Sequence, residues 1–156
     1  MPERFKLGFV NEEGNKIPPI IIHRAVLGSI ERFIAMITEN FAGKWPFWLS
    51  PRQAIVLPIR SAIDDYAVEV KDLLYSAGFH VDVELDPSLT INKKVRNAQL
   101  AQYNFILVVG DKEKESRTVN VRTRDNKQHG EITVDGLIEK FGSFKSSRTL
   151  KAEEDF

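Results

Sequence analysis

A run of five apolar residues, Phe105–Val109, places the strongest constraint on how this chain can fold. A strand that is apolar on both faces is stable only where other elements cover both faces, so the run belongs in the middle of a sheet. Gly110 and Asp111 follow it directly and end the strand. The chain is therefore expected to form a layered fold with helices on both sides of a sheet.

A strand–helix–strand pattern precedes that run. Residues 54–59 and 80–85 have the apolar content of strands, and residues 62–76 between them carry apolar side chains at three- and four-residue spacing. A second helix is predicted at residues 92–103, immediately before the central strand. These elements are most simply arranged as a βαβ unit that continues into the central strand.

The residues after the central strand predict two more strands and a final helix. Residues 118–122 alternate as a strand does, residues 131–133 form a short strand after a turn, and a helical pattern begins at Val134. The predicted fold class is α/β, with a mixed sheet of about five strands flanked by helices. The polar tail, residues 146–156, is expected to fray.

The first fifty residues differ in pattern and are predicted to form a separate part. Residues 4–22 indicate a hairpin around an acidic turn, and residues 24–40 indicate an amphipathic helix with Gly28 inside it. Residues 45–51 (WPFWLSP) contain both tryptophans and two prolines, which excludes regular helix and indicates an anchored linker. We therefore predict a hairpin–helix part at residues 1–50 and an α/β domain at residues 51–156.

Composition excludes several classes of protein. The chain has no cysteine, so disulfides and thiolate metal sites are excluded, and a cytoplasmic location is the default expectation. No stretch approaches the roughly 18 apolar residues that a membrane span requires, so no membrane partner is expected.

The net charge is zero, which argues against a simple basic DNA-binding or RNA-binding domain, and no DNA partner is expected. The charge is unevenly distributed, however. Residues 51–87 contain 3 basic and 7 acidic residues, whereas residues 88–127 contain 9 basic and 4 acidic residues. The second segment could contact phosphates, but on charge alone an ordinary solvated face is the favoured interpretation.

Several blocks of the sequence form a recognisable series along the chain. Residues 22–33 (IHRAVLGSIERF) and 42–51 (AGKWPFWLSP) are similar to the third signature motif of class II aminoacyl-tRNA synthetases, in the form found in the threonyl family. Three later blocks extend the match: residues 92–103 (NKKVRNAQLAQY), 108–113 (VVGDKE) and 121–124 (VRTR). Together the blocks extend over nearly the whole chain, in the order and at the spacing typical of that family. Their amino-acid sequences, in particular the NKK and QLAQYNF segments, are most similar to those of eukaryotic cytosolic members. The resemblance implies the end of a catalytic domain followed by an anticodon-binding domain.

For the first part, the resemblance implies roles that belong to a full-length enzyme with bound zinc and Mg-ATP. Gly28 and Arg32 would lie against ATP, Ser29 in the threonine pocket, and His23 would be a zinc ligand. The alternative for Arg32 is an ion pair with Glu31 or Glu39 on a solvated helix.

This chain alone is not expected to have the chemistry of the full enzyme. A catalytic zinc site needs three protein ligands, yet there is no cysteine, and His80 and His129 lie in the other part. No cofactor is therefore expected here. The first two class II motifs, which build the dimer interface and the adenylate pocket, are missing, so threonine activation is not expected and homodimerisation is attributed to the full enzyme. Residues 1–50 are expected to expose apolar surface.

For the second part, the resemblance implies binding of the anticodon stem-loop of threonine tRNA. Glu113 and Arg122 match residues that contact anticodon bases, while Lys93, Lys94 and Arg96 would contact phosphates. Ser88 either contacts a base or only spaces its loop. Further candidates for contact with the RNA backbone are Lys112, Lys114 and Arg124.

Each of these residues also has an ordinary structural interpretation. A turn carboxylate such as Glu113 aids solubility, and a charge such as Arg122 protects a strand edge from aggregation. Three classes of function therefore remain: RNA binding, a catalytic fragment with residual ATP affinity, and a non-catalytic protein-interaction module of the same fold.

Overall fold

The computed structural model describes all 156 residues and divides into two units, Met1–Met36 and Ile37–Phe156. In the first unit, β1 (Phe9–Val10) pairs antiparallel with β2 (Lys16–Ile17), and a turn containing Gly14 joins them. The predicted hairpin is confirmed, although each strand has only two residues.

Helix α1 (Ile30–Asn40) begins six residues later than residues 24–40 predicted. Gly28 precedes it with φ +67°, a left-handed conformation that favours glycine, so the prediction that Gly28 lies inside the helix is wrong. The physical reason lies at Ser29, whose hydroxyl and carbonyl oxygens accept from the backbone N–H groups of Arg32 and Phe33 at 3.4 and 3.0 Å. These bonds satisfy N–H groups of the first turn and set the start of the helix.

The first unit leaves large apolar side chains in contact with solvent, as expected. Ile20, Ile22 and Val26 are 92%, 88% and 74% exposed. Exposed apolar surface of this kind is typical of a segment that packs against further protein. Nowhere in the chain is there a helix with the length and apolar character that crossing a membrane demands.

The second unit contains a five-stranded sheet in the order β4-β3-β5-β6-β7. Its strands are β3 (Ala54–Pro58), β4 (Val81–Val83), β5 (Phe105–Val109), β6 (Thr118–Thr123) and β7 (Gln128–Thr133). Strand β3 pairs parallel with both β4 and β5, whereas β6 pairs antiparallel with β5 and β7. The predicted mixed sheet of about five strands is confirmed, with β5 at its centre as its apolar run indicated.

Four helices accompany this sheet. They are α2 (Asp64–Ser76), which follows a 3₁₀ turn at Ser61–Ile63, α3 (Ile91–Leu100), α4 (Asp111–Ser116) and α5 (Val134–Ser147). Helix α4 was not predicted, because the sequence DKEKES has no apolar side chain and therefore no helical periodicity. It forms at the end of β5, where Glu113 accepts a hydrogen bond from the backbone N–H of Gly110.

One face of the sheet carries the larger core, which α2 and α5 cover. Phenylalanines dominate this core, and Phe47 contributes to it although it comes from the tryptophan-rich linker. The ring of Phe47 lies 4.7 Å from Phe141 and 5.5 Å from Phe105, measured between centroids. Residues 44–50 thus pack with the second unit, whereas the sequence placed a boundary near Ser50. That boundary, as the end of a catalytic domain, stays a prediction.

The tail also belongs to this core, so the prediction that residues 146–156 fray is wrong. Ala152 is fully buried, and the ring of Phe156 lies 5.2 Å from that of Phe105. The tail is polar on average, so its composition gave no sign that Ala152 and Phe156 pack in the core or that Glu153 is buried.

Helix α3 covers the opposite face of the sheet. Val95 and Ala98 pack there against Ile55, Leu57, Ile106 and Val108. This smaller core lies over β3 and β5, and the β6 side chains on the same face are polar. We call this face, with the exposed side of α3, the α3 face.

Candidate nucleic-acid interface

Arg122 lies on the α3 face of β6. Its neighbours Val121 and Thr123 are fully buried on the other face, so the alternation of a strand places Arg122 with Ile106 and Gln128, the residues opposite it on β5 and β7. The side chain is half-buried: its Nε is buried without a hydrogen-bond partner, and no carboxylate is paired with the guanidinium. A guanidinium without a counter-charge in a polar surface is suited to binding an acceptor such as a base or a phosphate.

Glu113 lies in the first turn of α4, which follows the neighbouring strand β5. It is half-buried, and its Oε2 accepts from the Gly110 backbone N–H at 2.9 Å. The ordinary interpretation, a solubilising turn residue, is therefore incomplete, because this carboxylate stabilises the start of α4. Its second oxygen has lone pairs to accept further donors.

The two predicted base-contacting residues lie along the same stretch of sheet. Arg122 is opposite Ile106, and Glu113 accepts from the backbone of Gly110, the residue that directly follows β5. Ile106 and Gly110 are four residues apart, so at a strand rise of about 3.3 Å per residue their backbones are roughly 13 Å apart. Asn120 lies between them on β6, and the alternation of that strand is the sequence signal that places Asn120 on the same face as Arg122.

Helix α3 presents two of its three predicted phosphate-binding residues. Lys93 and Arg96 are exposed, but Lys94 is only 6% exposed. Lys94 precedes Val95 and lies one turn before Ala98, so it shares the buried side of the helix, and its Nζ donates to the Glu84 carbonyl at 2.9 Å. The prediction of an exposed phosphate contact at Lys94 is therefore corrected: its stem packs in the fold and its ammonium is held by the backbone.

Ser88 lies in the exposed loop before α3. Its backbone N–H donates to Asp86 Oδ1 at 2.8 Å. The pKa of Asp86 is lowered, first by a hydrogen bond from the Ser88 side chain and then by the backbone bond, with smaller effects from the Lys94 and Lys93 charges. Ser88 thus holds the loop in a short Asx turn, and its contact with a base stays a prediction.

Arg124 is not available to RNA, which corrects the prediction of a backbone contact there. Its side chain is 6% exposed, and it forms an ion pair at 2.8 Å with Glu153, which is 7% exposed. It also donates to the carbonyls of Trp45 and Lys44 at 3.2 and 3.3 Å. Arg124 therefore binds the linker and the tail to the end of β6.

The predicted ATP and threonine residues lie in and next to α1. Arg32 is exposed, and no ion pair joins it to Glu31 or Glu39, so the alternative interpretation of Arg32 is not supported. The Ser29 hydroxyl donates to Glu31 Oε2 at 2.5 Å, and this bond is the main cause of the lowered pKa of Glu31. The roles of Gly28 and Arg32 toward ATP, and of Ser29 toward threonine, stay predictions.

His23 is exposed in the first unit. The structure contains no group of three or more histidine, cysteine, aspartate or glutamate side chains that could hold a metal ion. The residues present therefore do not fit a zinc site of the three-ligand type.

Comparison with known proteins identifies the family to which the five-stranded sheet and its helices belong. The anticodon binding domain family matches residues 53–143, which cover the sheet and α2 to α4 and most of α5. The chain belongs to this family.

Curated relatives extend the similarity over the whole chain. It is 59% identical over 157 residues to the cytoplasmic threonine–tRNA ligase 1 of Bos taurus and 57% identical to that of Homo sapiens, covering 100% of this chain in both cases. The predicted resemblance to threonyl-tRNA synthetases of the cytosolic type is thus confirmed. The chain spans only 22% of the length of each of these relatives.

Solved structures agree with this assignment. The RNA binding domain of threonyl-tRNA synthetase from Cryptosporidium parvum superposes with a TM-score of 0.71 and 46% identity, covering 91% of this chain and 36% of that one. A prolyl-tRNA synthetase from the same organism gives a TM-score of 0.61 over 99% of this chain and 34% of that one. At 21% identity the latter supports the fold alone.

Proposed function

We propose that the α3 face binds the anticodon loop of threonine tRNA. One observation carries the proposal: Arg122, Lys93 and Arg96 take part in none of the ion pairs of the structure. Of the other basic residues of the unit, Arg60 and Arg117 are paired with carboxylates, and Lys140 and Lys145 on α5 donate to backbone carbonyls. Unneutralised cations gathered on one face of a protein with zero net charge are suited to a polyanion.

The polar groups on this face match the chemistry of an unpaired RNA loop. Bases in such a loop expose their edges, and Arg122 can donate to base acceptors there. The free oxygen of Glu113 can accept from the imino and amino groups of a guanine. Lys93 and Arg96 would contact phosphates and fix the position of the loop without contributing specificity.

The full-length context extends the proposal beyond this chain. The relatives are named cytoplasmic threonine–tRNA ligases, and we place this chain in the same compartment, as part of a homodimeric enzyme that uses ATP and zinc. There Gly28 and Arg32 would contact ATP and Ser29 the threonine, while His23 would join zinc ligands from elsewhere in that enzyme. A protein-interaction module of the same fold is disfavoured, because it has no need of three unpaired cations on one face.

The first prediction concerns recognition of the anticodon. The chain should bind a stem-loop RNA with the threonine anticodon about tenfold more tightly than one with a changed second or third anticodon base, because a lost base contact costs about 1–3 kcal/mol. Affinity should fall steeply as salt is raised. Fluorescence titration of matched and changed stem-loops measures both effects, and equal affinities would show that no base is recognised.

The second prediction separates base contacts from phosphate contacts. Arg122→Ala should reduce discrimination at one anticodon base, whereas Lys93→Ala should weaken every stem-loop by a similar factor and make the salt dependence shallower. Arg117→Ala is the matched control, because this exposed arginine is paired with Glu69. An Arg122→Ala protein with unchanged base preference would remove Arg122 from the set of base-contacting residues.

A further inference from the structure

Strand β6 carries a second polar side chain on the α3 face, Asn120. Its neighbours Val119 and Val121 are fully buried in the core on the opposite face. Asn120 lies opposite Val108 on β5 and is half-buried. Its side-chain Oδ1 is buried and has no hydrogen-bond partner. A buried acceptor without a partner is unfavourable and uncommon in folded proteins, so it calls for a specific explanation.

The position of Asn120 supplies one. Arg122 and Asn120 lie opposite Ile106 and Val108 on β5, and the Glu113 carboxylate accepts from Gly110, two residues beyond Val108 and just after the end of β5. Each interval of two residues is about 7 Å at the rise of a strand. This spacing is roughly twice the 3.4 Å between stacked bases, so three neighbouring bases could meet the three side chains only when they are unstacked, as in a splayed loop.

We propose that Asn120 is a third base-contacting residue, placed between Glu113 and Arg122, whose carboxamide binds the edge of an unpaired anticodon base. The inference rests on the proposed function of the α3 face. A carboxamide presents one acceptor and one donor group side by side, which matches a base edge with the complementary pair, as asparagine does with adenine. Since Oδ1 forms no bond inside the protein, turning the amide toward RNA breaks none at that atom.

Replacement of Asn120 by alanine in the 156-residue chain tests the proposal. The probes are the threonine anticodon stem-loop and three variants, each with one anticodon base changed. We expect about tenfold weaker binding of the matched stem-loop. We also expect loss of discrimination at one anticodon position, different from the position that Arg122→Ala affects. The melting temperature should not fall, because no hydrogen bond to Oδ1 is lost and an unsatisfied buried acceptor is removed.

A second variant guards against an effect on folding. Asn120→Thr keeps a residue suited to a strand while removing the carboxamide, and it should show the same loss. Unchanged affinity in both variants, or an equal loss for all four stem-loops, would overturn the assignment of Asn120. These results are distinct from failure of the proposed function, in which the unmodified chain would itself bind all four stem-loops equally.

Discussion

Replacing Phe47 by alanine is expected to lower the free energy of unfolding by about 4 kcal/mol, the usual loss for a buried phenylalanine. Phe47 is 0% exposed, and its ring lies within 6.4 Å, between centroids, of Phe79, Phe105, Phe141 and Phe144. Urea denaturation followed by circular dichroism measures the loss as a lower midpoint at an unchanged slope.

Phe5→Ala provides the matched control. Phe5 is 66% exposed, so its truncation should change stability by less than about 0.5 kcal/mol. A loss below about 1 kcal/mol for Phe47→Ala would show that the linker does not belong to the core.

A chain that begins at residue 51 should be destabilised still more than Phe47→Ala. It lacks the Phe47 ring and also the Phe47 carbonyl that accepts from Gln53 at 2.9 Å. Comparison with a chain that begins at residue 37 tests the predicted boundary near Ser50.

Replacing Glu153 by alanine is the second change with a large expected effect, about 3 kcal/mol of destabilisation. The loss would leave the guanidinium of Arg124 buried without its 2.8 Å carboxylate partner. Asn104 would lose a partner as well, because its Nδ2 donates to Glu153 at 2.6 Å. A charge without a counter-charge in the protein interior is costly, which is why breaking a buried pair destabilises more than the pair itself stabilises. Thermal unfolding by calorimetry measures the difference.

Glu154→Ala is the control for this prediction. Glu154 is the next residue and also belongs to an ion pair, with Lys151 at 3.1 Å, but both side chains are exposed. Exposed pairs are worth little, so stability should change by less than about 0.5 kcal/mol. Equal effects of the two substitutions would contradict the assignment of Glu153 to a buried, structural role.

The order of elements was predictable from sequence because the second unit follows simple periodicities. The apolar run of β5 was identified residue for residue, and the predicted strand at residues 118–122 ended only one residue before β6 does. Errors arose where local bonds rather than apolar patterns decide the structure. Helix α1 begins where Ser29 accepts hydrogen bonds from backbone N–H groups, and α4 begins where the Glu113 carboxylate accepts from the Gly110 N–H. Neither hydrogen bond produces a periodic pattern in the sequence.

The candidate interface was predictable in part. Alternation was sufficient to place Arg122 opposite the α2 and α5 core, and a helix start correctly placed Lys93 on the surface. The burial of Lys94 and Arg124 was not predictable in the same way. Lys94 is held by a carbonyl ten residues before it, and Arg124 by a carboxylate 29 residues after it, so only the folded chain brings these groups together.

The two faces of the sheet have a kinetic consequence for a protein without net charge. On the face opposite α3, helix α2 carries four acidic residues and one lysine, and α5 carries two acidic and two basic residues. Helix α3 carries two lysines, one arginine and no acidic residue. Such an arrangement gives the domain an electric dipole across the sheet. An approaching polyanion would be turned toward one side and repelled from the other before contact. Orientation of this kind raises the association rate at low salt, while the zero net charge limits indiscriminate adhesion to other nucleic acids.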